Sequence, residues 1–289
     1  MVRPNIFTAT VLALTAATTA GAEVKSATFR SAALGRDVAY VVDLPPSYDK
    51  GDRAYPVVVA LHGLFESSAF WERRGLAPIL ADLRQRGDVP EFLVVAPDGG
   101  NSFFVNGPDG RYQDLVTQDV LAHVAATYRV KPGRDNRALL GISMGGYAAL
   151  RIAFQQPEVF RAVATHSAML LEKVPSTEAG AGKWHMAAFQ KVFGDPIDTA
   201  RWTEADPLVA AQKADHKTAP ALYFDCGKED RYGLFVGNQD LDKTLTTRGV
   251  PHTFSLDPGD HGYDFVRSYL ARSLKFLGSA LAPASKETK

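Results

Sequence analysis

Cysteine is nearly absent: the chain has 1 in 289 residues. A lone Cys226 cannot close an internal disulfide. Neither a Cys-x-x-Cys nor a His-Glu-x-x-His spacing occurs, so no dedicated metal site is supported. Within Leu222-Tyr223-Phe224-Asp225-Cys226 the thiol reads as a small buried apolar group. Charge of one sign is absent too, since 32 Lys and Arg balance 32 Asp and Glu. That removes the electrostatic case for nucleic acid or an anionic membrane surface as partner. Long hydrophobic runs are missing: the apolar stretch Ile6 to Ala17 falls short of the roughly 20 residues that span a bilayer. No repeat, low-complexity tract or linker marks a second domain. What is present is a 46% hydrophobic composition, enough to fill a substantial core.

The amino terminus has the form of an export signal. Arg3 supplies a short positive region, Ile6 to Ala17 an apolar one, and Ala20-Gly21-Ala22 a small-x-small cleavage site. The expectation is a signal peptide over residues 1–22, cut after Ala22, and a secreted or periplasmic mature chain. Removing it leaves 31 basic residues against 32 acidic, a formal charge of −1.

From there strands and helices alternate. Thr28 to Ser31 and Asp37 to Leu44 read as an opening strand pair, stopped by Pro45-Pro46. Tyr55-Pro56-Val57-Val58-Val59-Ala60-Leu61 and Glu91 to Ala96 are continuous apolar runs of the kind buried on both faces of a parallel sheet. Apolar residues at Leu115, Val116, Val120, Leu121, Val124 and Ala125 predict an amphipathic helix over Tyr112 to Tyr128. Phe160 to His166, Ala221 to Cys226 and His252 to Leu256 read as strands; Leu76 to Gln85, Tyr232 to Arg248 and Tyr263 to Leu277 read as helices. Between Leu170 and Pro220 the alternation lapses, which predicts a lid-like excursion of short helices over 170–219. The pattern implies a single α/β domain over 23–289, with a mostly parallel sheet of about eight strands and helices on both faces. In such sheets functional groups gather at the carboxyl ends of strands.

The most informative stretch is Gly141-Ile142-Ser143-Met144-Gly145-Gly146, Gly-x-Ser-x-Gly between an apolar strand and a helical run. A serine on so sharp a turn stands at the head of the sheet and the positive end of a helix, as a nucleophile requires. The alternative is a glycine-rich turn that happens to contain serine. Serine needs a base to take its proton and a carboxylate to orient that base, in the chain order Ser, acid, His. His261, in Pro258-Gly259-Asp260-His261-Gly262 between the last strand and last helix, fits the base. His62, His123, His166, His185 and His216 precede the acid, and His252 opens a strand. For the acid, Asp230 in Cys226-Gly227-Lys228-Glu229-Asp230-Arg231-Tyr232 is preferred over Glu229; it also suits a helix cap. Two backbone N–H groups must meet the oxyanion of the tetrahedral intermediate: Met144, just after the serine, and Leu64, which Gly63 brings close after its strand. Phe103, Phe104, Trp184 and Trp202 are candidates to flank the cleft, with local packing as the competing explanation.

With these residues placed, the chain resembles the esterase D-like branch of the α/β-hydrolases. That branch holds S-formylglutathione hydrolases, feruloyl and acetyl-xylan esterases, siderophore esterases and mycolyltransferases. The resemblance runs from about Thr28 to Leu277. It is carried by the block Arg137 to Leu150, by Pro157-Glu158-Val159-Phe160 and Ser167, by Leu61-His62-Gly63, by Cys226-Gly227-x-x-Asp230, by Pro258-Gly259-x-His261 and by Asp206-Pro207. It implies an α/β-hydrolase fold, a triad of Ser143, Asp230 and His261, and an oxyanion hole of the Leu64 and Met144 amides. No cofactor or metal is needed for that chemistry. One departure is Tyr263, where many members carry Trp two residues after the histidine. An export signal also departs from S-formylglutathione hydrolases, whose substrate is cytosolic, and favours extracellular esters: short-chain, acetyl or feruloyl-type, including carbohydrate-linked ones. Transfer of the acyl group to a sugar or glycerol hydroxyl, and a non-catalytic binding protein on a hydrolase scaffold, are the rival readings.

Overall fold

The opening pair of strands is longer than its hydrophobic pattern suggests. In the computed structural model, which describes residues 23–177 and 180–282 (180–184 by backbone only), β1 (Glu23–Ser31) pairs antiparallel with β2 (Arg36–Leu44) along its whole length. The expected export signal, residues 1–22, lies outside the described residues. The chain then builds β3 (Val57–Leu61), β4 (Leu93–Pro97), β5 (Arg137–Ile142), β6 (Ala162–His166), β7 (Ala221–Gly227) and β8 (His252–Asp257). These join β1 and β2 in one eight-stranded sheet of order β1-β2-β4-β3-β5-β6-β7-β8. All neighbours from β4 to β8 run parallel, while β2 meets β4 antiparallel.

The apolar runs fill both faces. In β3, Val57, Val59 and Leu61 enter one core while Val58 and Ala60 enter the other. The second core is closed by the helices Leu76–Gln85 and Tyr263–Leu281, whose buried Leu76, Leu80, Leu83 and Val266, Leu270, Leu274, Leu277, Leu281 recur every three or four residues. On the opposite face lie the helix Met144–Gln155 and the excursion after β6. The helix expected over 112–128 is interrupted: Leu115–Asp119 forms a wide π-helical turn between Tyr112–Asp114 and Val120–Thr127. Such a turn rotates the residues after it. Asp119 thereby reaches the β1–β2 turn, accepting hydrogen bonds from Ser31 Oγ (2.6 Å) and the Ala33 amide (2.8 Å).

The excursion contains the helices Gly180–Phe193, Thr199–Ala205 and Pro207–Ala211. Trp202, Phe189 and Phe193 are buried there and pack on one another and on Tyr147 or Phe103. Asp206 caps the last of these helices, accepting from the Leu208 amide at 2.8 Å with Pro207 in the first turn. Burial pushes its carboxyl up to about 6, against the pull of the Leu208 and Val209 amides. The native state therefore holds that proton more tightly than the unfolded chain. The stability it contributes is complete at low pH and is lost as pH rises through about 6. Asp206→Asn keeps the cap without the charge. It is expected to raise the thermal midpoint by about 5 °C at pH 8, a gain that vanishes near pH 4 in parallel melts.

Candidate active site

β5 ends at Ile142, and the chain reverses into the helix Met144–Gln155 within one residue. That residue, Ser143, has φ 52° and ψ −115°, a backbone conformation costly for any side chain. Its amide donates to the His166 carbonyl of the adjacent strand at 3.0 Å, and its own carbonyl accepts from the Met169 amide at 3.0 Å. The glycines around it are dictated by close approach. A Cβ on Gly141 would lie 2.3 Å from the Gly145 carbonyl oxygen, and one on Gly145 would lie 2.3 Å from the Leu61 carbonyl oxygen. Neither neighbour is a flexible side chain. Gly145→Ala is therefore expected to cost about 3 kcal/mol, lowering the thermal midpoint by about 10 °C in calorimetry.

Asp230 and His261 meet beside this turn. His261 Nδ1 donates to Asp230 Oδ2 at 2.8 Å, with the carboxylate buried and the imidazole partly open. Asp230 is held from several sides. The Cys226 thiol donates to Oδ2 at 3.7 Å, and the Tyr232 and Leu234 amides donate to Oδ1 at 3.0 and 3.4 Å. It thus meets the histidine and also holds the turn that leads, through Gly233, into the helix Leu234–Thr247. Burial raises the Cys226 thiol above its ordinary value, so it stays a neutral donor. Neighbouring carboxylates are committed elsewhere: Glu229 Oε2 accepts from the Gly259 amide at 2.6 Å, and Asp260 pairs with Arg231. The Tyr232 ring stands edge-on to His261, 4.9 Å between centroids.

Ser143, His261, Gly63 and Leu64 all line one cleft of about 610 Å³. Among the described residues no hydrogen bond joins the Ser143 hydroxyl to His261; the two face the same space. Hydrogen bonds between a nucleophile and its base are often long or poorly aligned until substrate is in place. A Cβ placed on Gly63 would sit 3.7 Å from Ser143 Cβ, which measures how closely the Leu64 loop approaches the serine. Met144, at the start of the helix, is buried. The loop is braced by His62, whose Nδ1 donates to the Gly63 carbonyl (2.8 Å) and whose Nε2 accepts from the Gly99 amide (3.0 Å). Burial lowers the His62 pKa, consistent with the neutral ring this bonding requires. Phe65 takes φ 61°, its amide donating to Asn101 Oδ1 at 2.7 Å.

The flanking aromatics differ from the expectation. Phe103 and Phe104 are fully buried and do not line the cleft: Phe103 packs on Tyr147, Phe189 and Phe193, and Phe104 on His62. Their backbone turns at positive φ, sending both rings inward. Trp202 is likewise core. The Trp184 side chain lies outside the described residues. Among the described residues, the rings that reach the cleft besides His261 are Phe65, Phe70, His185, Tyr232, Tyr263 and Phe265. Phe65 and Tyr263 are the large hydrophobics left exposed among the described residues, at 64% and 50%. His185, at a kink in its helix, lies between Phe65 (5.4 Å) and Tyr232 (5.2 Å), its ring tilted by 59° and 56° to theirs. The Tyr263 hydroxyl donates to Glu66 Oε1 at 2.7 Å, while the Arg74 guanidinium lies over its ring. The hydroxyl that distinguishes Tyr263 from Trp thus ties the histidine loop to the Leu64 loop. Nothing in the periodicity of 63–74 marks Phe65 or Glu66; the local signal is only an aromatic beside a glycine turn.

Sheet order and the strand–serine–helix turn are those of the α/β-hydrolase fold. The sequence model of the Esterase family, described as "Putative esterase", matches residues 31–277, and the chain belongs to that family. Among curated proteins it is 27% identical over 209 residues to an acetyl esterase of Caldicellulosiruptor saccharolyticus, covering 68% of this chain and 75% of that one. It is 25% identical over 270 residues to the S-formylglutathione hydrolase of Paracoccus denitrificans, covering 87% and 91%. Among solved structures, a ferulic acid esterase superposes with TM-score 0.77 at 24% identity, over 91% of this chain and all of that one. The chain is an enzyme of the esterase class.

Proposed function

We propose that this chain is an exported serine carboxylic ester hydrolase working through an acyl-enzyme. The observation that carries the reading is the 2.8 Å bond from His261 Nδ1 to buried Asp230, in the same cleft as a serine on a strained strand-to-helix turn. Nδ1 committed to the carboxylate leaves Nε2 as the base. His261 takes the Ser143 proton as the hydroxyl oxygen attacks the ester carbonyl. The Leu64 and Met144 amides receive the oxyanion, and His261 returns the proton to the departing alcohol. Water, deprotonated by the same nitrogen, then releases the acid and regenerates the serine. Asp230 stays ionised throughout.

For substrates, we propose acetyl, short-chain and feruloyl-type esters, including sugar-linked ones, with the exposed Phe65 and Tyr263 rings meeting a flat group of the substrate. The export reading rests on residues 1–22, and the single mature domain on the unbroken sheet. A panel of p-nitrophenyl acetate and butyrate, acetylated sugars and methyl ferulate tests the reading, run with and without added glycerol. Free acid as the product supports hydrolysis. Acyl glycerol as the main product assigns transfer instead, and no turnover of any ester leaves a binding protein on a hydrolase scaffold.

A further inference from the structure

Behind the serine turn, on the opposite face of the sheet from the helix Met144–Gln155, lies a second imidazole–carboxylate pair. His166 and Asp225 are in register at the ends of β6 and β7, and both are fully buried. His166 Nδ1 meets Asp225 Oδ1 at 2.9 Å, and the Tyr223 hydroxyl donates to Asp225 Oδ2 at 2.8 Å. His166 Nε2 meets Ser273 Oγ at 2.9 Å, and the Ser273 hydroxyl has the Leu270 carbonyl within 2.9 Å. Four polar side chains without solvent are expensive, and an apolar core of the same shape would be as stable or more so. The proposed chemistry uses none of them.

What the set joins gives it a purpose. The His166 carbonyl receives the Ser143 amide at 3.0 Å, and the Asp225 carbonyl receives the Ser167 amide at 2.8 Å. Ser167 is itself held at φ 42°, one residue past His166. Asp225 is followed by Cys226, whose thiol donates to Asp230. Ser273 lies on the helix Tyr263–Leu281, which starts two residues after His261. The buried imidazole therefore ties β6 to β7 and to the last helix, while the backbone carbonyl of the same residue holds the Ser143 amide.

We infer that His166 is a positioning residue: with Asp225, Tyr223 and Ser273 it sets the relative placement of the Ser143 turn and the Asp230 loop. This rests on the proposed serine mechanism. A displacement of about 1 Å at such a site lowers turnover by as much as a hundredfold without touching the substrate. The set thus trades stability for alignment, and the two quantities separate experimentally.

The test replaces the polar set by an apolar one, His166→Leu/Asp225→Val/Tyr223→Phe, and measures melting together with kcat and KM for p-nitrophenyl acetate. The expected result is a thermal midpoint at or above the parent's, kcat lower by about tenfold or more, and KM within about twofold. A stable variant with parental kcat overturns the inference. Should that variant not fold, Ser273→Ala and Asp225→Asn, which keep shape, are measured singly. Lowered kcat at constant KM in both supports the positioning role, and kcat within about twofold of parent in both overturns it. Ser143→Ala, run alongside, separates the two ideas. If it remains active the serine mechanism itself fails; if it is inactive while the apolar variant is fully active, only the role of His166 fails.

Discussion

Ser143→Ala is expected to lower kcat for p-nitrophenyl acetate by about 10⁴- to 10⁶-fold while leaving the fold intact. Alanine removes the oxygen proposed to attack and nothing else: the side chain is small, buried at 5% exposure, and its turn is held by backbone bonds to His166 and Met169. The residual rate is then what the proposed oxyanion amides and binding supply. Because the Ser143 conformation is strained, a side chain relieved of function has no cause to destabilise the protein, and melting is expected to be unchanged or slightly higher. Retention of a tenth of parental turnover by a pure sample contradicts the role given to this serine.

Asp230→Asn is expected to reduce kcat by about 10⁴-fold with little loss of stability. An amide at this position offers His261 Nδ1 an N–H as readily as an oxygen, so the ring adopts the tautomer with its proton on Nε2 and ceases to be a base toward the serine. Asn preserves an acceptor for the Tyr232 and Leu234 amides, so the turn leading into the helix Leu234–Thr247 stays held. The control is Glu229→Gln, which touches only the Gly259 brace and is expected to lower kcat far less. Steady-state kinetics and melting on the two variants decide the matter. Loss confined to Glu229→Gln assigns the acid to Glu229.

Much of this was legible in the sequence because sheet and site leave strong local signals. The β-branched run at Val57–Leu61 reads as a strand buried on two faces, and it is one. The glycines at 141 and 145 read as a close turn, and backbone atoms 2.3 Å from each missing Cβ explain them. Asp230 read as suited to a cap or an orienting carboxylate; it bonds to His261 and to the Tyr232 amide, while the helix itself is capped at Gly233. Phe103 and Phe104 failed because aromatics in a loop carry no record of which way they turn. Two positive φ angles and a pocket of rings supplied by the excursion decided it. The buried pair of His166 and Asp225 was equally invisible, since residues 59 apart in sequence meet only through sheet register. Phe65 became a candidate for substrate contact only once its exposure was known.

The most direct test is covalent labelling by a fluorophosphonate followed by peptide mass mapping, done on the parent, His261→Ala and Ser143→Ala. The account predicts one adduct per parent chain, on the peptide carrying Ser143, formed far more slowly in His261→Ala and not at all in Ser143→Ala. An unlabelled parent, or an adduct that persists when Ser143 is gone, contradicts it.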